Sequence, residues 1–158
     1  MSIDYTLYLA KHADPKVPAE ILRTEFQLAG GKDSTDEDSV RSWLDDGPVS
    51  ITIWRLDRRI PGVADENAVD AKMGIIFDLR PSDLAAAKKI MIRDLCTLLT
   101  ELDGDAVFFN LDDQVILRRK DGRLEVNTDA DFWTSELRAL VSPPHEARPL
   151  KRLREPSP

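Results

Sequence analysis

Apolar and polar residues alternate at the start of the chain. Tyr5, Leu7 and Leu9 stand against Thr6 and Tyr8, which predicts a strand over Tyr5–Ala10. Asp14-Pro15 breaks it. Pro18 suits the first turn of a helix running to about Leu28, with Leu22, Phe26 and Ala29 on one face, and Gly30-Gly31 ends it. Alternation returns in Val49–Arg55, where Val49, Ile51 and Ile53 oppose Ser50, Thr52 and Trp54. Lys72–Leu79 reads as the next strand, its near-continuous Gly74-Ile75-Ile76-Phe77 implying burial on both faces.

The period then changes. Leu84, Ala87, Met91, Leu95, Leu98 and Leu102 recur at three or four residues, as one buried helical face requires, so Ser82–Leu102 is the clearest helix. Pro81, Ser82 and Asp83 provide helix-start chemistry. Ala106–Asn110, Gln114–Lys120 and Arg123–Asn127 follow as strands, the last two joined by the hairpin signal Asp121-Gly122. That turn sets Leu117 opposite Val126 and Arg118 opposite Glu125, an apolar pair on one face and complementary charges on the other. Phe132–Val141 suits a short closing helix with Phe132, Trp133, Leu137 and Leu140 turned inward.

The predicted class is α+β. An antiparallel sheet of five to six strands carries two main helices on one face, in the ferredoxin-like order β-α-β-β-α-β plus a C-terminal hairpin. A single domain is expected over Met1–Ser142. Pro143–Pro158, rich in Pro and Arg, reads as a tail or as a segment that packs against something. Read as a tail, its removal should change stability by less than about 1 kcal/mol.

Lys32–Gly47 stands apart. It holds Asp33, Asp36, Glu37, Asp38, Asp45 and Asp46 against only Lys32 and Arg41, with Val40, Trp43 and Leu44 as its main apolar residues. The expectation is a long loop with a short helix.

Composition narrows the function. The 158 residues are 42% apolar and 32% charged, which excludes a disordered chain, and no apolar run nears the roughly 18 residues of a membrane span. Met1–Tyr8 carries acid rather than the basic-then-apolar pattern of a signal peptide. One cysteine allows no internal disulfide, and one Cys with two His excludes the usual zinc clusters, so the expected setting is the bacterial cytoplasm or its equivalent. The net charge of −7 argues against general binding to nucleic acid or anionic lipid. The charge is uneven, since Met1–Ser142 holds 18 basic and 27 acidic residues while Pro143–Pro158 holds four basic and two acidic. An acidic body suits a basic protein partner, or serves solubility alone.

Candidate chemistry is sparse. His12 and His145 have no patterned base, nucleophile or orienting partner and read as solvated loop residues. Cys96 borders the apolar stripe of the long helix and reads as a core-edge thiol. Asp103-Gly104-Asp105 and Asp112-Asp113 read as turn formers, because they lack the register of a calcium loop. Neither phosphate-loop pattern is present, and Arg58-Arg59 and Arg118-Arg119-Lys120 read as strand-end decoration. Trp54 fits buried packing, whereas Trp43, surrounded by charge, fits either buried packing or a protein-binding anchor.

From the long helix onward the chain reads Leu98-Leu99, Asp103-Gly104-Asp105-Ala106-Val107, Asn110, Val115-Ile116-Leu117-Arg118-Arg119, Gly122-Arg123-Leu124 and Phe132-Trp133. This run resembles the SitI-type immunity family, named for swarming-inhibition toxins passed between bacterial cells. The opening Asp4-Tyr5-x-Leu-x-Leu-Ala is similar to the start of that family. Where such members show Asn-Gly-Glu at a hairpin tip, this chain has Asn110-Leu111-Asp112-Asp113, and the acidic segment at Lys32–Gly47 is not part of the likeness. The resemblance implies a cognate toxin neutralised by binding, with no catalytic residues and no cofactor.

The leading expectation is therefore an immunity protein that occludes the active site of a basic toxin such as a nuclease. Asp33, Asp36, Glu37, Asp38, Trp43, Asp45 and Asp46 are its expected toxin-binding residues, and the face around Trp54, Arg118 and Glu125 is the alternative. The competing readings are a regulatory or adaptor domain, or an enzyme using Asp105, Asp112 or Asp113 as acids.

Overall fold

Alternating segments separated by turn residues pair into one sheet. The computed structural model describes residues 3–28, 32–34, 41–59 and 69–153. Among them the order is β1 (Ile3–Leu9), α1 (Lys16–Phe26), β2 (Lys32–Ser34), β3 (Arg41–Asp46), β4 (Val49–Arg59), β5 (Asp70–Leu79), α2 (Leu84–Glu101), β6 (Ala106–Asn110), β7 (Val115–Lys120), β8 (Arg123–Asn127), α3 (Ser135–Ala139) and β9 (Glu146–Arg148). The described strands form one nine-stranded sheet in the order β2-β3-β4-β5-β1-β6-β7-β8-β9, antiparallel throughout except at β8–β9.

The class is α+β, and the central run β4-β5-β1-β6 has the interleaving of a split βαβ unit. The expected count of five to six strands is corrected to nine. Part of the difference is the acidic segment, where the expected loop with a short helix is instead β2 paired with β3, with Lys32 opposite Trp43. The residues between them, including Asp36, Glu37 and Asp38, lie outside the described residues. In β3 the inward positions are Ser42, Leu44 and Asp46. Two of those three are polar, so the two-residue alternation was hidden.

One sheet face carries the main core. Tyr5, Leu7 and Leu9 of β1, Val49, Ile51 and Ile53 of β4, and Met73, Ile75, Phe77 and Leu79 of β5 are buried with Leu22 of α1 and Ala87, Met91, Leu95 and Leu98 of α2. Burying a side chain of this size contributes about 1.5–3 kcal/mol before entropy is charged against it. A 3-10 turn at Pro81–Asp83 leads into α2. At its other end the Arg119 guanidinium donates to the carbonyls of Leu99, Leu102 and Gly104, so a strand side chain closes the exposed end of the helix. Helix α1 stops at Phe26 because Gln27 turns left-handed (φ 53°). Gly30-Gly31, expected to end it, and Ala29 lie outside the described residues.

The β7–β8 hairpin has the expected register, Leu117 opposite Val126 and Arg118 opposite Glu125, with Asp121 and Gly122 both at positive φ (51° and 79°) as a two-residue turn demands. The closing helix is shorter than expected. Leu137 is buried, Leu140 is 42% exposed, and Val141 fills the inward place instead.

A second apolar cluster occupies part of the opposite face. Val69, Ala71, Val107, Phe109 and Val115 are covered by Leu150 and Leu153, with Tyr8, Ala10 and Leu56 around them. The chain after Ser142 thus returns to the sheet as β9 and then packs across it, and residues 154–158 lie outside the described part.

Candidate functional site

The half of the second face that the C-terminal segment leaves open is built from the outward positions of four strands. Register places them in three rows. Arg41, Trp54, Gly74 and Tyr8 form one; Trp43, Thr52, Ile76 and Thr6 the next; and Asp45, Ser50, Asp78 and Asp4 the last. A Cβ on Gly74 would lie 2.5 Å from the Trp54 ring, so the glycine is there because the indole lies flat across it. Trp43, at 37%, is among the few large apolar side chains left exposed among the described residues.

The expected toxin-binding residues divide on this frame. Asp33 on β2 is exposed and accepts from the Ser42 hydroxyl (2.7 Å) and Arg23 (3.4 Å), and the Ser42 bond leads the effects that hold its carboxyl below the usual range. Trp43 and Asp45 lie on the open face, Asp45 accepting from the Ser50 hydroxyl at 2.9 Å. Asp46, one residue on, points the other way. It is buried against the helices and pairs with Arg93.

Arg93 also reaches Asp94 (3.2 Å) and lies over the Phe26 ring, 3.7 Å from its centroid, so it joins α1, α2 and β3. Asp94 is fully buried, and one of its oxygens receives no N–H or hydroxyl donor among the described residues. Burial first, then the hydrogen bond and charge of Asp46, push its carboxyl up to about 8. The sequence reading missed Asp94, although its spacing of three from Met91 and four from Leu98 puts it on the buried stripe.

Two further carboxyls were also missed. Asp4 and Asp78 are direct cross-strand partners on the open face. Burial, then Asp4, raises the Asp78 carboxyl. Outward position on a strand was the available signal, but their opposition depends on pairing across the whole α1–β5 interval.

The alternative face is corrected. Trp54 is half-buried, and Arg118 and Glu125 are buried, bonded to each other at 3.1 Å with Arg148 of β9 on the second Glu125 oxygen at 3.0 Å. β9 and the segment after it cover what the sequence placed in solvent.

The other candidates are scattered. His12 and Lys11 bond Asp103 (2.8 and 2.9 Å), and these contacts hold that exposed carboxyl down at about 2. Asp105 accepts from the Asp121 backbone, and the Asn110 side chain accepts from the Asp112 and Gln114 backbones to shape the hairpin tip, with Asp113 at φ 59°. Cys96 is buried, and burial raises its thiol. Among the described residues no group of three or more His, Cys, Asp or Glu gathers as a metal site would, and no described helix is long and apolar enough to cross a membrane.

The arrangement is thus a mostly antiparallel sheet with helices on one face and, on part of the other, Trp43 and Trp54 beside Asp4, Asp45 and Asp78. The model of the SitI3-like family matches residues 3–137, and the chain belongs to that family. The match runs through the acidic segment, which the sequence likeness had left out. No curated protein and no solved structure matches the chain.

Proposed function

We propose that this protein is a bacterial immunity protein that binds a cognate toxin and blocks it by occlusion, without chemistry of its own. The observation that carries the reading is membership of the SitI3-like family across most of the chain. A body of this net charge favours a basic toxin, such as a nuclease, because opposite potentials speed encounter and reject like-charged partners. Action in the bacterial cytoplasm, where a toxin would otherwise work, is part of the same proposal.

For the contact surface we infer the β2–β3 hairpin. Trp43 and Asp45 are its described members on the open face; Asp33, bonded to Ser42 and Arg23, lies at its edge on the helix side, and Asp36, Glu37 and Asp38 lie outside the described residues. Asp46 supports the strand from behind through Arg93. The test is co-expression with a secreted multidomain toxin encoded beside this gene. Rescue of growth and a stable co-purified complex are the expected outcome, and continued killing would overturn the reading.

A further inference from the structure

Resting on the immunity reading, we propose that docking extends beyond the acidic hairpin across the open sheet face to β1, and that the occupant is a protein surface presenting arginine or lysine side chains. The row Asp45, Ser50, Asp78 and Asp4 crosses four strands, and it ends in two carboxyls directly opposite one another. Like charges in that relation oppose folding. Burial first, and then the charge of Asp4, raise the Asp78 carboxyl above its usual range. One Asp4 oxygen is buried without a partner, and among the described residues neither carboxyl forms an ion pair.

A face serving only solvent would relieve that opposition with a lysine or threonine on one strand. Here the opposition is kept, and it is kept beside Trp43 and Trp54. A guanidinium arriving over the row supplies a counter-charge and forms charge-assisted bonds to both carboxyls. The indoles in the adjoining rows offer flat surface on which such a group stacks. The rest of the second face is closed by Leu150 and Leu153. A second acidic groove, of about 330 Å³, lies on the helix side between Glu20, Glu25 and Glu101. Its lining holds no aromatic side chain, which makes it a control of similar charge.

The experiment is calorimetric titration of the protein with an acetylated hexa-arginine peptide at low ionic strength. Asp4→Asn with Asp78→Asn should weaken binding about fivefold or more, while Glu20→Gln with Glu101→Gln, removing the same charge, should weaken it less than about twofold. Equal losses would mean that net charge alone attracts the peptide and would overturn the proposal. Asp78→Asn alone should raise the melting temperature of the free protein by relieving the opposed pair. A fall would assign the pair a structural role and also overturn it. In cells, the Asp4/Asp78 double variant should lose protection against the neighbouring toxin. Failure of the wild type to protect would sink the immunity reading instead, leaving the peptide comparison to decide the face.

Discussion

Asp94 shows how one side chain links helix packing to pH. Its carboxyl sits among Met91, Leu95 and Leu98, bonded to Arg93 and facing Asp46, and burial holds its pKa near 8. In the unfolded chain the same group titrates near about 3.9. Between those values the folded state keeps a proton that the unfolded state has lost. Stability from this group is therefore full below about pH 4, declines as pH rises, and is lost once pH passes about 8. Asp94→Asn keeps the shape and supplies a permanent donor toward Asp46. Its melting temperature should be flatter across that window, and near pH 8.5 it should exceed the wild type by about 1 kcal/mol or more of unfolding free energy. Unfolding curves at several pH values check this. A parallel pH profile for wild type and variant would show that the Arg93 contact keeps Asp94 ionised throughout.

At the level of elements, legibility followed how locally each one is specified. The β7–β8 hairpin could be read to the residue because Asp121-Gly122 fixes its own register. Helix α2 could be read because its apolar stripe repeats over five turns. The β2–β3 pair could not, since Ser42 and Asp46 occupy inward positions and are satisfied by Asp33 and Arg93, neither of them adjacent in sequence. The same pairing now constrains Trp43. Its ring is on the open face rather than in the main core, so Trp43→Ala should lower stability by less than about 1 kcal/mol. If the indole is a toxin anchor, the same change should speed dissociation by a hot-spot cost of about 2 kcal/mol or more. Thermal melts beside dissociation kinetics separate the two, and a large stability loss with unchanged kinetics would return Trp43 to a packing role. Arg119 makes the converse case. Arg119→Lys keeps the charge but loses the fork that bonds three carbonyls at the end of α2, and should cost about 1–2 kcal/mol in urea unfolding.

Over the whole molecule, the C-terminal segment decides which part of the second face stays open. Proline content and the small number of apolar residues leave two readings from sequence, a tail or a segment that packs against something. Its two leucines, however, are placed where they count, Leu150 being 7% and Leu153 2% exposed over Val107, Phe109 and Val115. Polar groups fix them there. The Asn127 side chain accepts from the Leu150 backbone at 3.0 Å and donates to the Val115 carbonyl at 2.6 Å, and the Leu153 N–H donates to the Asp113 carbonyl at 2.9 Å. Arg148 adds its contact to the buried Glu125. Deleting Glu146–Pro158 would expose that cluster, strip Glu125 of one cation and leave Asn127 partly unsatisfied, three separate penalties at one end of the sheet. The expected loss is about 3 kcal/mol or more, in place of the value below about 1 kcal/mol that composition implies. Leu153→Ala, which only opens a cavity, should cost about 2 kcal/mol or more by itself. Urea midpoints for the full chain, the deletion and Leu153→Ala decide the matter. A deletion that unfolds at the wild-type midpoint would mean that the segment does not hold this position in solution, and that the whole second face is open to a partner.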